Sequence, residues 1–283
     1  MIDETAEEIR EMQTHSSSVV AVKAARALTE LADREFATVE EYVRALERNT
    51  GALRRANPSH ASLHTTQREI LDAVTEADPQ TVDEAKAVTL DAVESVVETV
   101  EAAKHAAAEE LAAHLEDGMT LLTHDYSSTV LEGVERAAAD GAYLTVYVTE
   151  ARPRYLGRKT ARTLAAVDRV DPHLIVDGAS GHFLPEMDEV VIGMDCIVDD
   201  VLYNRVGTYP LAATAADVGV PVTVAGSSAK IVDGGFLFEN DFRSPSEVIL
   251  EPPEGFGVEN PAYDATPTRL LDRVVTDDGV QQV

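Results

Sequence analysis

Tryptophan is absent from this chain, cysteine occurs once, and aromatic residues make up only 5% of its 283 residues. The single Cys196 excludes an intrachain disulfide and a thiol-rich metal site. Few aromatics do not preclude a core, because 45% of the residues are apolar, mostly Ala, Val and Leu. No apolar run approaches the roughly 18 residues of a membrane helix. The acidic start, Met-Ile-Asp-Glu-Thr-Ala-Glu-Glu, has no signal-peptide apolar region, so a soluble, cytoplasmic protein is expected. Bases are scarce: 23 against 51 acids, only five of them Lys, for a net charge of −28. Such a surface repels phosphate backbones and argues against general DNA or RNA binding. The acids run along the whole chain rather than forming a tail, which predicts adaptation to a salty cytoplasm where screening relieves self-repulsion. There is no Gly-x-Gly-x-x-Gly after a strand and no Walker Gly-Lys-Ser/Thr. The eight His have no metal-ligand spacing, so neither a metal nor a cofactor is expected.

What is present divides near residue 115. Residues 1–115 carry no strand pattern and almost no Gly, which predicts a helical domain. Helices are expected at 3–13, at 19–33 behind the cap candidates Ser16-Ser17-Ser18, at 39–49 capped by Thr38 and ended with help from Gly51, and at 60–77. Thr81-Val-Asp-Glu84 has capping-box spacing and opens a long helix running toward His114.

Residues 116–283 read differently. Apolar runs at 119–123, 143–148, 173–176, 189–192 and 220–225 mostly alternate with helical patterns at 128–139, 157–167 and 209–217. This alternation predicts an α/β fold, a Rossmann-like doubly wound parallel sheet following the helical domain. Residues 226–260 are rich in Gly, Pro and acids and read as an ordered loop or flap, and a short helix is expected over 267–275.

Four segments follow strand ends, where open α/β sheets bind ligands. The first, His124-Asp125-Tyr126-Ser127-Ser128, puts hydroxyls before a helix; Ser127 and Ser128 could hold an oxyanion or cap the helix, and Asp125 is a candidate acid or base. The second spans Thr149 to Arg158 with three Arg, of which Arg152 and Arg158 are taken as anion ligands. The third, Gly178-Ala-Ser-Gly-His182, could close over a ligand. The fourth is Gly193 to Thr208, read as a strand end and loop carrying Asp195, Asp199, Asp200, Asn204 and Arg205 before a helix.

Together these segments resemble one superfamily. Thr149-Glu150-Ala151-Arg152-Pro153 with Gly157-Arg158 is similar to a Thr-Glu-Thr-Arg-Pro…Gly-Arg signature, and Asn204-Arg205-Val206-Gly207-Thr208 to Asn-Lys-Ile-Gly-Thr. Asn260-Pro261-Ala262-Tyr263-Asp264 with Thr266-Pro267 and Thr276 is similar to Asn-Pro-x-Phe-Asp-x-Thr-Pro…Thr. Leu122-Thr123-His124 with Tyr126-Ser127 resembles the first catalytic loop, more in its initiation-factor form than its isomerase form. The superfamily joins the alpha, beta and delta subunits of translation initiation factor 2B with methylthioribose-1-phosphate isomerase and archaeal ribose-1,5-bisphosphate isomerase. The resemblance implies a helical domain, a Rossmann-like domain, dimerisation through the latter, and a phosphorylated sugar or nucleotide as ligand.

Departures from the signatures set the functional expectation. Asp125 stands where the isomerases carry a catalytic Cys; the loop from Gly193 is one residue shorter and lacks an Asn-Gly pair, leaving Asp200 as the nearest equivalent of a catalytic Asp. The first part's Arg-Pro-Thr is Asn57-Pro58-Ser59, which loses a cation. The expectation is therefore an initiation-factor-2B-like protein without isomerase activity. It would bind a partner, such as an initiation-factor subunit, or a phosphorylated ligand through Ser127, Ser128, Arg152, Arg158, Asn204 and Arg205. The alternative is a working aldose–ketose sugar-phosphate isomerase in which Asp195 or Asp200 moves the proton and Asp125 replaces the thiol as acid.

Overall fold

The computed structural model describes residues 2–11, 16–232, 238–251 and 254–283, and two compact units divide at Ala102/Ala103. The first unit is helical: α1 (Ile2–Arg10), α2 (Ser17–Ala27) continued by a 3-10 turn over Leu28–Asp33, α3 (Val39–Ala56), α4 (Ala61–Glu76) and the start of α5 (Val82–His114). Their apolar stripes meet in one core around Leu28, Tyr42, Leu46, Leu53, Leu63 and Ile70. Thr38 caps α3 by accepting from Glu41 N at 3.2 Å. The capping box at α5 is reciprocal, with Glu84 N donating to Thr81 Oγ1 and Gln80 N donating to Glu84 Oε2. Two expectations are corrected here. Ser16 makes no side-chain cap, and α3 runs through Gly51 to Ala56, because one helical Gly costs only about 1 kcal/mol against a well-packed apolar face. The end of the expected 3–13 helix lies outside the described residues.

The second unit is α/β. A seven-stranded sheet is built from β1 (Thr120–Thr123), β2 (Leu144–Thr149), β3 (Val170–Ile175), β4 (Glu189–Gly193), β7 (Val222–Ala225), β10 (Arg273–Thr276) and β11 (Gly279–Gln282) in the order β11-β10-β7-β4-β1-β2-β3. All neighbours are parallel except β10 and β11. Connecting helices are α6 (Ser128–Ala139), α7 (Leu156–Leu164), the short α8 (Ser180–Phe183) and α9 (Thr208–Val218). Separate apolar clusters flank the sheet, one with Leu111, Leu121, Val134 and Val146, the other with Leu122, Ile192, Leu211 and Val224. Strands buried on both faces need continuous apolar runs, which is why they read so clearly in the sequence.

The stretch Gly193–Thr208 is not a simple loop. It holds a hairpin of β5 (Cys196–Val198) and β6 (Val201–Arg205), turned by Asp199-Asp200 with Asp199 at φ 50°. With β8 (Ile231–Val232) and β9 (Tyr263–Pro267) it forms a second, four-stranded sheet. The expected 267–275 helix is instead a 3-10 turn (Thr268–Leu270) followed by β10. β10 joins the edge of the parallel sheet, and tertiary pairing overrides its local preference. In the expected 226–260 flap, the described part includes α10 (Pro245–Val248); residues 233–237 and 252–253 lie outside the described residues.

Candidate functional site

Chain order reverses about β1: β2 follows on one side and β4 lies on the other. The crevice between the β1 and β4 ends is the topological switch point, where such sheets place ligands. Asp125 follows β1, and Asp195 follows β4.

The two carboxyls are 7% and 9% exposed and share one cation. Arg205 Nε lies 3.7 Å from Asp125 Oδ2 and 3.5 Å from Asp195 Oδ2. Arg205 ends β6 directly opposite Tyr263 of β9, and its guanidinium stacks 4.9 Å from that ring. Burial disfavours the Arg205 charge, but Tyr263, Asp195 and Asp125 outweigh it, so its pKa is raised and it stays cationic. Burial also dominates at Asp125, pushing its carboxyl above the ordinary aspartate value although Arg205 and His124 pull the other way and Asp195 adds to the rise. Asp125 holds φ 65°, and its carbonyl accepts from Thr160 Oγ1 at 2.7 Å.

His124 fixes this loop. Its Nε2 donates to the Val206 carbonyl at 2.9 Å and its Nδ1 shares a hydrogen bond with Thr149 Oγ1 at 2.6 Å, joining the ends of β1, β2 and β6. A carbonyl can only accept, so Nε2 carries the proton. Gly207, at φ 108°, passes so close that a Cβ would lie 2.6 Å from the ring, so no other residue fits there. His124 is a positioning residue that sequence reasoning placed only as part of a motif.

Two sets of backbone N–H groups at strand ends are taken by the chain's own acids. Asp264 accepts from Gly207 N and Tyr209 N at the start of α9, and Asp177 accepts from Ala151 N and Arg152 N. Ser127 Oγ caps α6 by accepting from Val130 N at 3.3 Å, and Ser128 is the partly exposed first residue of that helix. Arg152 is exposed and donates to the Val248 carbonyl; Arg158 is exposed, pairs with Glu150 at 2.7 Å and stacks on Tyr155 at 3.9 Å. Asn204 is buried and donates to Thr208 Oγ1 at 3.1 Å. Asp200 sits exposed on the hairpin turn, where its carbonyl accepts from Thr268 N. Of the predicted residues the structure thus brings together Asp125, Asp195 and Arg205.

It adds two cations that sequence reasoning passed over. Arg154 is half-buried within electrostatic reach of Arg205 and Asp125, and it shares Glu247 with Arg243, each 3.7 Å away. Burial lowers its pKa. Lys230 is buried behind Met194. The local signal for Arg154 was its place between Pro153 and Tyr155 at a strand's carboxyl end; Lys230 had none beyond the scarcity of Lys. Cys196 is buried, and its thiol is pushed up to about 12, by burial first and Asp195 second, so it supplies no thiolate to the site. Among the described residues no cluster of three or more His, Cys, Asp or Glu could hold a metal ion, and no helix is long and apolar enough to cross a membrane.

A sequence profile for the Initiation factor 2 subunit family matches residues 13–283. The chain belongs to that family. It is 34% identical to a ribose 1,5-bisphosphate isomerase of Haloterrigena turkmenica, an alignment covering 97% of this chain and 88% of that one. It is 31% identical to a protein of the same name from Methanocaldococcus jannaschii, covering 99% and 91%. A crystal structure of the Pyrococcus horikoshii OT3 translation initiation factor eIF-2B superposes with a TM-score of 0.84 at 25% identity, covering 99% of this chain and 96% of that one. These likenesses correct the expectation of a binding protein without isomerase activity. That reading gave decisive weight to the absent thiol and the altered loop from Gly193, whereas the isomerase relatives align across nearly the whole of both chains.

Proposed function

We propose that this protein is an intramolecular aldose–ketose isomerase of sugar phosphates, with ribose 1,5-bisphosphate as the first substrate to test. The observation that carries the reading is the pair of buried carboxyls across the switch point, bridged by Arg205. Acid–base catalysis needs one group that holds a proton and one that takes it. Burial favours the protonated form of Asp125, which suits it to be the acid. Asp195 is then the base.

The chemistry balances without an external redox partner. Asp125 gives a proton to the ring oxygen as the C1–O bond opens, and Asp195 removes the proton from C2, leaving an enol between C1 and C2. The C2 hydroxyl then loses its proton, C1 gains one, and the product is the 2-ketose. Arg205 faces both carboxyls and stabilises negative charge as it develops in a water-poor site. The names carried by the isomerase relatives support this substrate class. Strand β3 lies at the edge of the parallel sheet with Leu174 and Val176 exposed, which favours self-association at least to a dimer.

The test is to incubate pure protein in molar salt with ribose 1,5-bisphosphate in deuterium oxide. Formation of ribulose 1,5-bisphosphate is expected, with deuterium entering C1 if the proton exchanges. No ketose at any salt concentration would sink the reading.

A further inference from the structure

Helix α7 meets the loop after β1 through Thr160, whose bonding departs from the common pattern of a helical threonine. Thr75, Thr89, Thr99, Thr163 and Thr214 each turn the hydroxyl back to the carbonyl four residues earlier in their own helix. Thr160, 2% exposed, donates instead to the carbonyl of Asp125 at 2.7 Å.

The helix is seated for this contact. Gly157 packs so closely on the end of β2 that a Cβ there would overlap the Thr149 carbonyl. Gly157, Thr160 and Leu164 share one buried face of α7, so the seating that presses Gly157 onto β2 also brings Thr160, one turn on, against the Asp125 loop. Lys159 adds a second contact, its ammonium 4.0 Å from the centre of the Tyr126 ring.

What Thr160 holds is the peptide unit between Asp125 and Tyr126. The carbonyl of that unit faces Thr160, and its N–H, from Tyr126, donates to the Asp125 carboxyl. The two groups of a trans peptide point in opposite directions, so fixing one aims the other. Asp125 is held at φ 65°, a region that is costly for a residue with a side chain. Without the Thr160 hydroxyl the carbonyl loses the bond that orients it, and the unit can turn.

We propose that Thr160 is a positioning residue for the acid: through the Asp125 carbonyl it fixes the backbone that orients the Asp125 carboxyl, a role that rests on the isomerase reading for its reaction. The other groups facing that carboxyl are Arg205 of β6, Asp195 beyond β4, His124 beside it and Arg154 from the loop before α7. None of these is altered in the variants below, which leaves the peptide unit as the change. Losing the Tyr126 N–H, which favours the charged carboxylate, moves the Asp125 proton affinity further up.

The experiment compares wild type, Thr160→Val, which keeps the shape without the hydroxyl, and Thr160→Ser, which keeps the hydroxyl. Thr160→Ala is made beside them and read as Thr160→Val is. The readings are turnover of ribose 1,5-bisphosphate in molar salt across pH, thermal melting, and titration of the Asp125 carboxyl by carbon NMR. Thr160→Val is expected to lower kcat roughly tenfold to a hundredfold with KM within about twofold, because a small misplacement of an acid costs rate rather than binding. The Asp125 titration and the alkaline limb of turnover should both move to higher pH, and Thr160→Ser should restore all three. An unmoved or lowered Asp125 titration overturns the proposal, as does unchanged kcat. A lower melting temperature with turnover of the folded fraction and titration unchanged assigns Thr160 to the scaffold and also overturns it. A titration that depends on Thr160 in a protein that forms no ketose sinks the isomerase reading and leaves the positioning of Asp125 standing.

Discussion

Strand β4 has a buried carboxylate near each end, and the two are treated differently. At its start Glu189, 2% exposed, is fully surrounded: His114 Nε2 at 2.9 Å, Arg273 Nη1 at 2.7 Å and the Thr223 hydroxyl all reach it. Beyond its end Asp195 has a shared cation at 3.5 Å, with a second carboxyl on that cation and the Lys230 ammonium, held by the Met194 carbonyl, within electrostatic reach. Both groups are buried at opposite edges of one sheet, so burial alone does not separate them. Saturation does. A carboxylate whose acceptors are all taken holds elements together; one held loosely among groups with spare protons is available for chemistry.

The largest expected effect falls on the loosely held end. Asp195→Asn keeps the shape and removes the base, so isomerase turnover should fall by about 10²–10⁴ with the melting temperature little changed. Activity within threefold of wild type would mean that Asp195 is not the base.

Glu189→Gln should do the reverse. Removing one partner from a buried network leaves Arg273 uncompensated and typically costs about 3–5 kcal/mol. Chemical denaturation should show that loss, while turnover of the folded fraction stays near wild type. If turnover falls and stability does not, the distinction drawn along β4 is wrong.

Asp125 lies between these cases, and its sign is fixed by the raised pKa. The folded state holds this proton more tightly than the unfolded chain does. The stabilisation is therefore fully present below the ordinary aspartate value near 3.9 and is lost as pH rises through the folded-state value. Asp125→Asn removes that loss, so at neutral pH the variant should be at least as stable as wild type. As an acid Asp125 must be protonated, so wild-type turnover should decline as pH rises through the same value. In Asp125→Asn the residual rate should be lower and that limb absent. An unchanged alkaline limb in the variant would assign it to another group.

The sequence made some of this legible and hid the rest for physical reasons. Runs such as Val190-Val191-Ile192 and Leu144–Val148 announce themselves because both faces of a parallel sheet are buried. The β5–β6 hairpin did not, because Cys-Ile-Val and Val-Leu-Tyr-Asn-Arg are short and their pairing with β9 comes from more than fifty residues away. Asp125, Asp195 and Arg205 stood out as candidates because the segments that carry them follow strand ends in the sequence pattern, although Arg205 itself ends a strand. Arg152 and Arg158 looked equivalent to Arg154 in one dimension; only the turn of the chain, with Ala151 and Tyr155 both at φ 57°, decides which side chain is drawn in from solvent. The two outer residues lie outside the core site, and the middle one approaches it.

That difference yields the smallest predicted effects. Arg158 is 44% exposed and already bonded to Glu150, and an ion pair of this kind is worth about 0–1 kcal/mol. Arg152 donates its side chain to a backbone carbonyl and its amide to Asp177, so neither atom waits for a ligand. Arg158→Ala and Arg152→Ala should each change sugar-phosphate affinity by less than threefold and stability by about 0.5 kcal/mol or less. Arg154→Ala, by contrast, removes a cation within reach of Arg205 and Asp125, and should weaken binding about tenfold if Arg154 contributes one charged hydrogen bond to the ligand. Calorimetry on the three variants in parallel decides the matter. A tenfold loss confined to Arg152→Ala would return the anion site to the exposed arginines and move the binding surface out of the switch-point crevice.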